Sequence, residues 1–111
     1  MKQLVVVMAL GLAASLTLGA SRAAAQTPDG ATVYRQHCRT CHGSTGKPAA
    51  RMLGLYPKLP TLSDSAFMAG ISTDSIVKVL KAGLGDMKSF TGKLSDAEMT
   101  SVAEYVKTLS Q

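Results

Sequence analysis

Both cysteines and both histidines of this chain fall within "RQHCRTCHGSTG", residues 35–46. Two cysteines two residues apart can close a redox disulfide, supply half of a metal site, or take a covalently attached haem. A thioredoxin-like pair would sit beside a βαβ pattern, and the sequence has none. A structural zinc site takes four ligands, as a rule in two separated pairs. Here His37, Cys38, Cys41 and His42 crowd into six consecutive residues, and the chain has no other Cys or His. A bare disulfide between Cys38 and Cys41 would close a very small ring and add little core. The order Cys38-Arg39-Thr40-Cys41-His42 is instead the Cys-x-x-Cys-His pattern of c-type haem attachment. Two thiols at this spacing reach the two vinyl groups on one porphyrin edge, and the next residue brings an imidazole beneath the iron. Haem attachment is the favoured chemistry, with a redox disulfide and adventitious metal binding as the alternatives.

The elements that must position these residues follow from the rest of the chain. Lys2, an apolar run from Leu4 to Leu18, and small residues ending in Ala23-Ala24-Ala25 have the order of a secretory signal peptide, cleaved after Ala25. The apolar run is shorter than the ~20 residues of a usual spanning helix, so a retained anchor is the lesser reading. Residues 26–111 are then one small exported domain, with no stable membrane span in the mature form and a periplasmic location. A core made of side chains alone is marginal at that size, and a cofactor or metal is commonly recruited. Losing Lys2 and Arg22 leaves 10 basic and 7 acidic residues, too mild an excess to argue for nucleic acid.

Helical signals dominate the mature segment. Thr27 can cap a helix with Pro28 at its first position, running towards Cys38. Gly43, Gly46, Pro48, Gly54, Pro57 and Pro60 predict an irregular stretch from Gly43 to Leu62. A short turn over Ser65 to Ala69 follows. Ser72 or Thr73 then caps a helix with Ile76, Val77 and Leu80 on one face, closed by Gly83. Ser95-Asp96-Ala97-Glu98 reads as a capping box, with Leu94 and Met99 as a hydrophobic staple and Met99, Val102, Val106 and Leu109 as the buried stripe. No run alternates long enough to be a strand, and the fold class is all-α.

With these residues in place, the chain resembles the small monohaem cytochromes c over nearly all of the mature segment. Gly30 and Tyr34 stand eight and four residues before Cys38, and Tyr105 lies in the last helix within "VAEYVKTL". In that family such residues meet where the terminal helices cross. The segment "IVKVLKAGLGDMKSFTGKLSDAEMTSVAEYVK" matches the family order of helix, glycine-containing loop, methionine ligand and capped final helix. One departure is Lys88, where the family carries a proline that stiffens the ligand loop. The resemblance implies a small cytochrome c fold wrapped around one covalently bound haem c, attached at Cys38 and Cys41, with His42 and Met87 as axial ligands of the iron. It also implies Pro60 as the residue whose carbonyl accepts the second ring N–H of His42, a contact that fixes ring orientation.

Around such a haem, Leu55, Leu59, Leu62, Phe67, Ile76, Val77, Leu80 and Phe90 are expected to line an apolar pocket, and Tyr56 to cap a propionate or stay exposed. His37 is expected on the first helix, facing solvent or a loop carbonyl. Met52 reads as pocket wall or surface, while Met68 and Met99 read as packing. Lys47, Lys58, Lys81 and Lys88 either ring the exposed haem edge or serve solubility. With both axial positions filled, the expected function is one-electron transfer rather than enzyme catalysis, as a shuttle or as the cytochrome subunit of a redox enzyme acting on partner proteins. The alternative is a haem-based sensor or binding protein with a labile sixth ligand.

Overall fold

The computed structural model describes residues 28–111. The expected signal peptide, residues 1–25, and Thr27 lie outside the described residues. Six helices follow one another: α1 Gly30–His37, α2 Arg39–His42, α3 Ala50–Leu55, α4 Ser65–Ala69, α5 Thr73–Ala82 and α6 Asp96–Thr108. Among the described residues there is no strand, only isolated bridges between Leu84 and Met87 and between Thr91 and Leu94. The all-α expectation holds.

Local chemistry explains where the helices begin and end. In α6, Glu98 N–H donates to Ser95 Oγ at 3.1 Å and Ser95 N–H donates to Glu98 Oε2 at 2.7 Å, the reciprocal pair of a capping box. Leu94 and Met99, on either side of that cap, are both buried in the core. Ser72, not Thr73, caps α5, accepting from Ser75 N–H. Gly83 ends it with φ 76°, a left-handed conformation that suits glycine.

Two expectations need correction. The cap of α1 is Asp29, whose carboxylate accepts from Thr32 N–H at 2.9 Å, so Pro28 precedes the helix instead of starting it. The stretch from Gly43 to Leu62 is not irregular throughout, because α3 forms within it. That helix has no side-chain cap, contains Gly54, and buries only Met52, so its sequence carries no local signal.

The frame of the molecule is α6 packed against α1 and α5. Gly30 makes the first contact. A Cβ there would run into the Ser101 carbonyl oxygen and lie 2.7 Å from Tyr105 Cβ, so only glycine lets the two backbones approach this closely. One turn on, the Tyr34 and Tyr105 rings meet with centroids 5.4 Å apart at 57°. Val33, Tyr34, Met68, Leu80, Leu94, Met99, Val102 and Val106 form one buried cluster. Lys107 extends its ammonium to the carbonyls of Met68, at 2.8 Å, and Ile71, tethering α6 to the α4–α5 connection. Among the described residues no helix is long and apolar enough to cross a membrane.

Candidate haem site

Cys38 stands at a joint, closing α1 and opening α2. Its N–H donates to Tyr34 O at 2.9 Å, and its own carbonyl accepts from Cys41 N–H at 3.3 Å and His42 N–H at 3.0 Å. One tight helical turn therefore holds the two sulfurs and the imidazole in a fixed relation. Gly43 stops the turn at φ 81°, and the Tyr34 hydroxyl donates to the Gly43 carbonyl at 2.7 Å. The buried core tyrosine thus locks the end of the motif in place. Burial also pushes the Tyr34 phenol far above its ordinary pKa, which keeps it a donor.

Cys38, Cys41 and His42 open onto a cavity of about 790 Å³, within the ~300–1,000 Å³ typical of cofactor sites. Met87, in the loop between α5 and α6, lines the same cavity. Met68, Ile76, Leu80, Val102 and Val106 make the floor apolar, and Leu59, Pro60, Leu62 and Phe67 continue that surface. Tyr56 and Lys58 also line it.

The titratable groups fit a covalent haem better than the alternatives. Both cysteines are free. Burial, with the neighbouring Cys41 second, pushes the Cys38 thiol up to about 11. Redox dithiols work through a lowered thiol pKa, and Cys38 is shifted in the opposite direction. Among the described residues no three His, Cys, Asp or Glu side chains converge as metal ligands. Burial lowers the His42 pKa, which favours the neutral ring that coordinates iron. His42 Nδ1 is a buried nitrogen with no hydrogen-bond partner.

The structure brings Cys38, Cys41, His42, Tyr56, Pro60 and Met87 around one cavity. It departs from the expected pocket in three ways. Pro60 is on the wall, but the bond from His42 Nδ1 to its carbonyl is not made. Phe90 does not line the cavity. Its N–H donates to Leu80 O at 2.7 Å, which anchors it at the end of α5, and its ring packs on the core and edge-on to His37, with centroids 6.2 Å apart. Leu55 and Val77 are also off the wall, Leu55 being 68% exposed at the end of α3. His37 is exposed as expected, and Met52 is buried. Sequence reasoning missed Tyr34, Val79, Val102 and Val106 as wall residues. Tyr34, Val102 and Val106 belong to the core, so in this molecule core and pocket wall share residues.

Comparison with known proteins agrees with this geometry. The family described as "Cytochrome C oxidase, cbb3-type, subunit III" matches residues 25–106. The Cbb3-type cytochrome c oxidase subunit CcoP of Cereibacter sphaeroides is 32% identical over 82% of this chain, and the dihydro-heme d1 dehydrogenase of Pseudomonas aeruginosa is 35% identical over 87% of it. This chain spans only 30% and 18% of the length of those two relatives. Cytochrome c6 of Synechococcus is 33% identical over 96% of this chain and 91% of its own length. In solved structures, the KustC0563 c-type cytochrome superposes with a TM-score of 0.67 at 29% identity, covering 76% of this chain and all of its own. The cofactor is accordingly covalently bound haem c. Matched over most of its length and folded as a c-type cytochrome, the chain belongs to the cytochrome c family of cbb3-type oxidase subunit III.

Proposed function

We propose that this chain is an exported one-electron carrier, with haem c attached through Cys38 and Cys41 and its iron held between His42 and Met87. The observation that carries the reading is one largely apolar cavity lined by Cys38, Cys41, His42 and Met87 together. Haem c supplies a one-electron couple at its iron. Everything else is the work of the chain. Cys38 and Cys41 fix the group at one helical turn, and the close α1–α6 crossing keeps that turn still. His42, held neutral by burial, offers a nitrogen lone pair. Met87 brings an uncharged thioether that favours the reduced state. The apolar floor excludes water and disfavours the extra positive charge of the oxidised state, so both features raise the potential.

The names of the relatives run from a cytochrome to an oxidase subunit and a dehydrogenase. One-electron transfer through haem is the chemistry those names share. A signal peptide over residues 1–25 would deliver the domain to the periplasm, where its partners are redox proteins that donate and accept the electron. With the iron held by His42 and Met87, no position would remain open to a substrate, and the chain would serve as a shuttle or as the cytochrome unit of a larger assembly.

The test is a carbon monoxide difference spectrum of the reduced, haem-loaded protein. An unchanged spectrum is expected, since Met87 closes the iron. Rapid stoichiometric binding would overturn the carrier reading in favour of a sensor or binding protein.

A further inference from the structure

The segment from Gly83 to Gly92 that bears Met87 contains three glycines and no proline, so its backbone has little intrinsic stiffness. Gly83, Gly85 and Gly92 all adopt positive φ. What restrains the loop is the end of α5. Helices end with backbone carbonyls that have no partner within the helix. Here those of Leu80 and Lys81 are taken by the far side of the Met87 loop. Phe90 N–H donates to Leu80 O at 2.7 Å. Ser89 Oγ and Thr91 Oγ1 both donate to Lys81 O, the latter at 3.0 Å, and Thr91 N–H donates back to Ser89 Oγ at 3.1 Å. Within the loop, Leu84 and Met87 exchange backbone bonds of 2.9 and 3.0 Å.

We propose that Ser89 and Thr91 are positioning residues that clamp the Met87 loop onto the Lys81 carbonyl and so set how often the thioether leaves the iron. This rests on the reading of Met87 as an axial ligand. The clamp replaces covalent stiffness with two side-chain hydrogen bonds to one acceptor. Opening the loop far enough to carry Met87 out of the cavity requires swinging residues 88–91 away from α5, which breaks both. Loop opening and hydroxyl release are then the same event.

The experiment measures the rate at which saturating cyanide binds the oxidised, haem-loaded protein, a rate limited by departure of the native sixth ligand. Ser89→Ala with Thr91→Val should raise it on the order of 30-fold, the factor for two hydrogen bonds of ordinary net worth. Thr91→Val alone should give a smaller rise and Thr91→Ser the native rate, and these single variants carry the test if the double variant does not fold. Ser72→Ala removes a hydrogen bond at the other end of α5 and should leave the rate unchanged. An unchanged rate in the clamp variants, or an equal rise in Ser72→Ala, overturns the proposal. Met87→Ala separates the two levels of inference. If it binds cyanide no faster than the native protein, the ligand reading fails and the clamp with it. If it binds at once while the clamp variants behave as native, only the clamp fails.

Discussion

Replacing Gly30 by alanine adds one methyl group at the tightest point of the fold. That carbon would lie 2.7 Å from Tyr105 Cβ and 2.8 Å from the Ser101 carbonyl carbon, and closer still to the Ser101 oxygen. Optimal carbon contacts need ~3.5–4.0 Å, so α1 and α6 must separate by roughly 1 Å. Two of the three obstructing atoms are backbone and cannot rotate away, which places the cost near the upper end of the ~1–3 kcal/mol typical of overpacking. A gap of that size also forfeits a quarter to a half of the dispersion energy across the crossing, where Val33, Tyr34 and Val102 are packed. Against this, alanine is better than glycine in a helix by up to about 1 kcal/mol. The net loss is about 2 kcal/mol, equivalent to a fall in melting midpoint of roughly 8–16 °C for a domain of this size. Denaturant unfolding of the haem-loaded variant, followed by far-ultraviolet circular dichroism, measures it. A variant as stable as the native protein, or more stable, would refute the claim that the helix crossing is closed by backbone contact.

Removing the Tyr34 hydroxyl in Tyr34→Phe takes the shorter of two donors from the Gly43 carbonyl, leaving the Gly46 N–H at 3.3 Å, and should cost about 1 kcal/mol in the same unfolding assay; no change would mean that the remaining donor or water replaces the hydroxyl at no cost. Asp29 is held below the usual carboxylate range, chiefly by the Thr32 N–H, so its contribution to stability is complete above pH ~4 and is lost as pH falls through the lower folded value. Stability should therefore fall more steeply from pH 5 to pH 2 in the native protein than in Asp29→Asn, and parallel profiles would remove Asp29 from the account. The double variant Cys38→Ser, Cys41→Ser should show no haem stain on a denaturing gel, whereas full staining would sink covalent attachment at these positions.

What was legible in the sequence was local. Ser95 and Glu98 declare a helix start within four residues, Ser72 and Gly83 bracket α5, and the Cys-x-x-Cys-His run is complete in one turn. Each of these signals resides in the same residues that make the structure. What was illegible depends on partners distant in sequence. The ring of Phe90 turns towards His37 instead of into the cavity because its N–H is captured by Leu80, ten residues earlier. No offset from Met87 encodes that. The α3 helix is sustained without a side-chain cap and with one buried residue, so glycine and proline punctuation outweighed it. Pro28 suits a first helical position and so pointed to Thr27 as the cap, whereas the helix is capped one residue after the proline, by Asp29.

The placement of the core explains why fold and site cannot be separated in this molecule. Tyr34, Met68, Leu80, Val102 and Val106 are half of the buried apolar residues and all lie on the cavity wall. Burying a large apolar side chain is worth about 1.5–3 kcal/mol, so five of them amount to about 10 kcal/mol. A small domain's entire net stability is of that order, about 5–15 kcal/mol. These five side chains are buried by the polypeptide itself, so the wall that faces the cavity carries a share of the fold's own stability on that scale. The same apolar atoms set the polarity around the iron, and with it the cost of the oxidised charge. A substitution on the wall, such as at Val102 or Leu80, must move stability and potential together. One at Gly30 or Asp29, outside the wall, can move stability alone. The separation between those two classes follows from which residues face the cavity, not from how deeply each is buried.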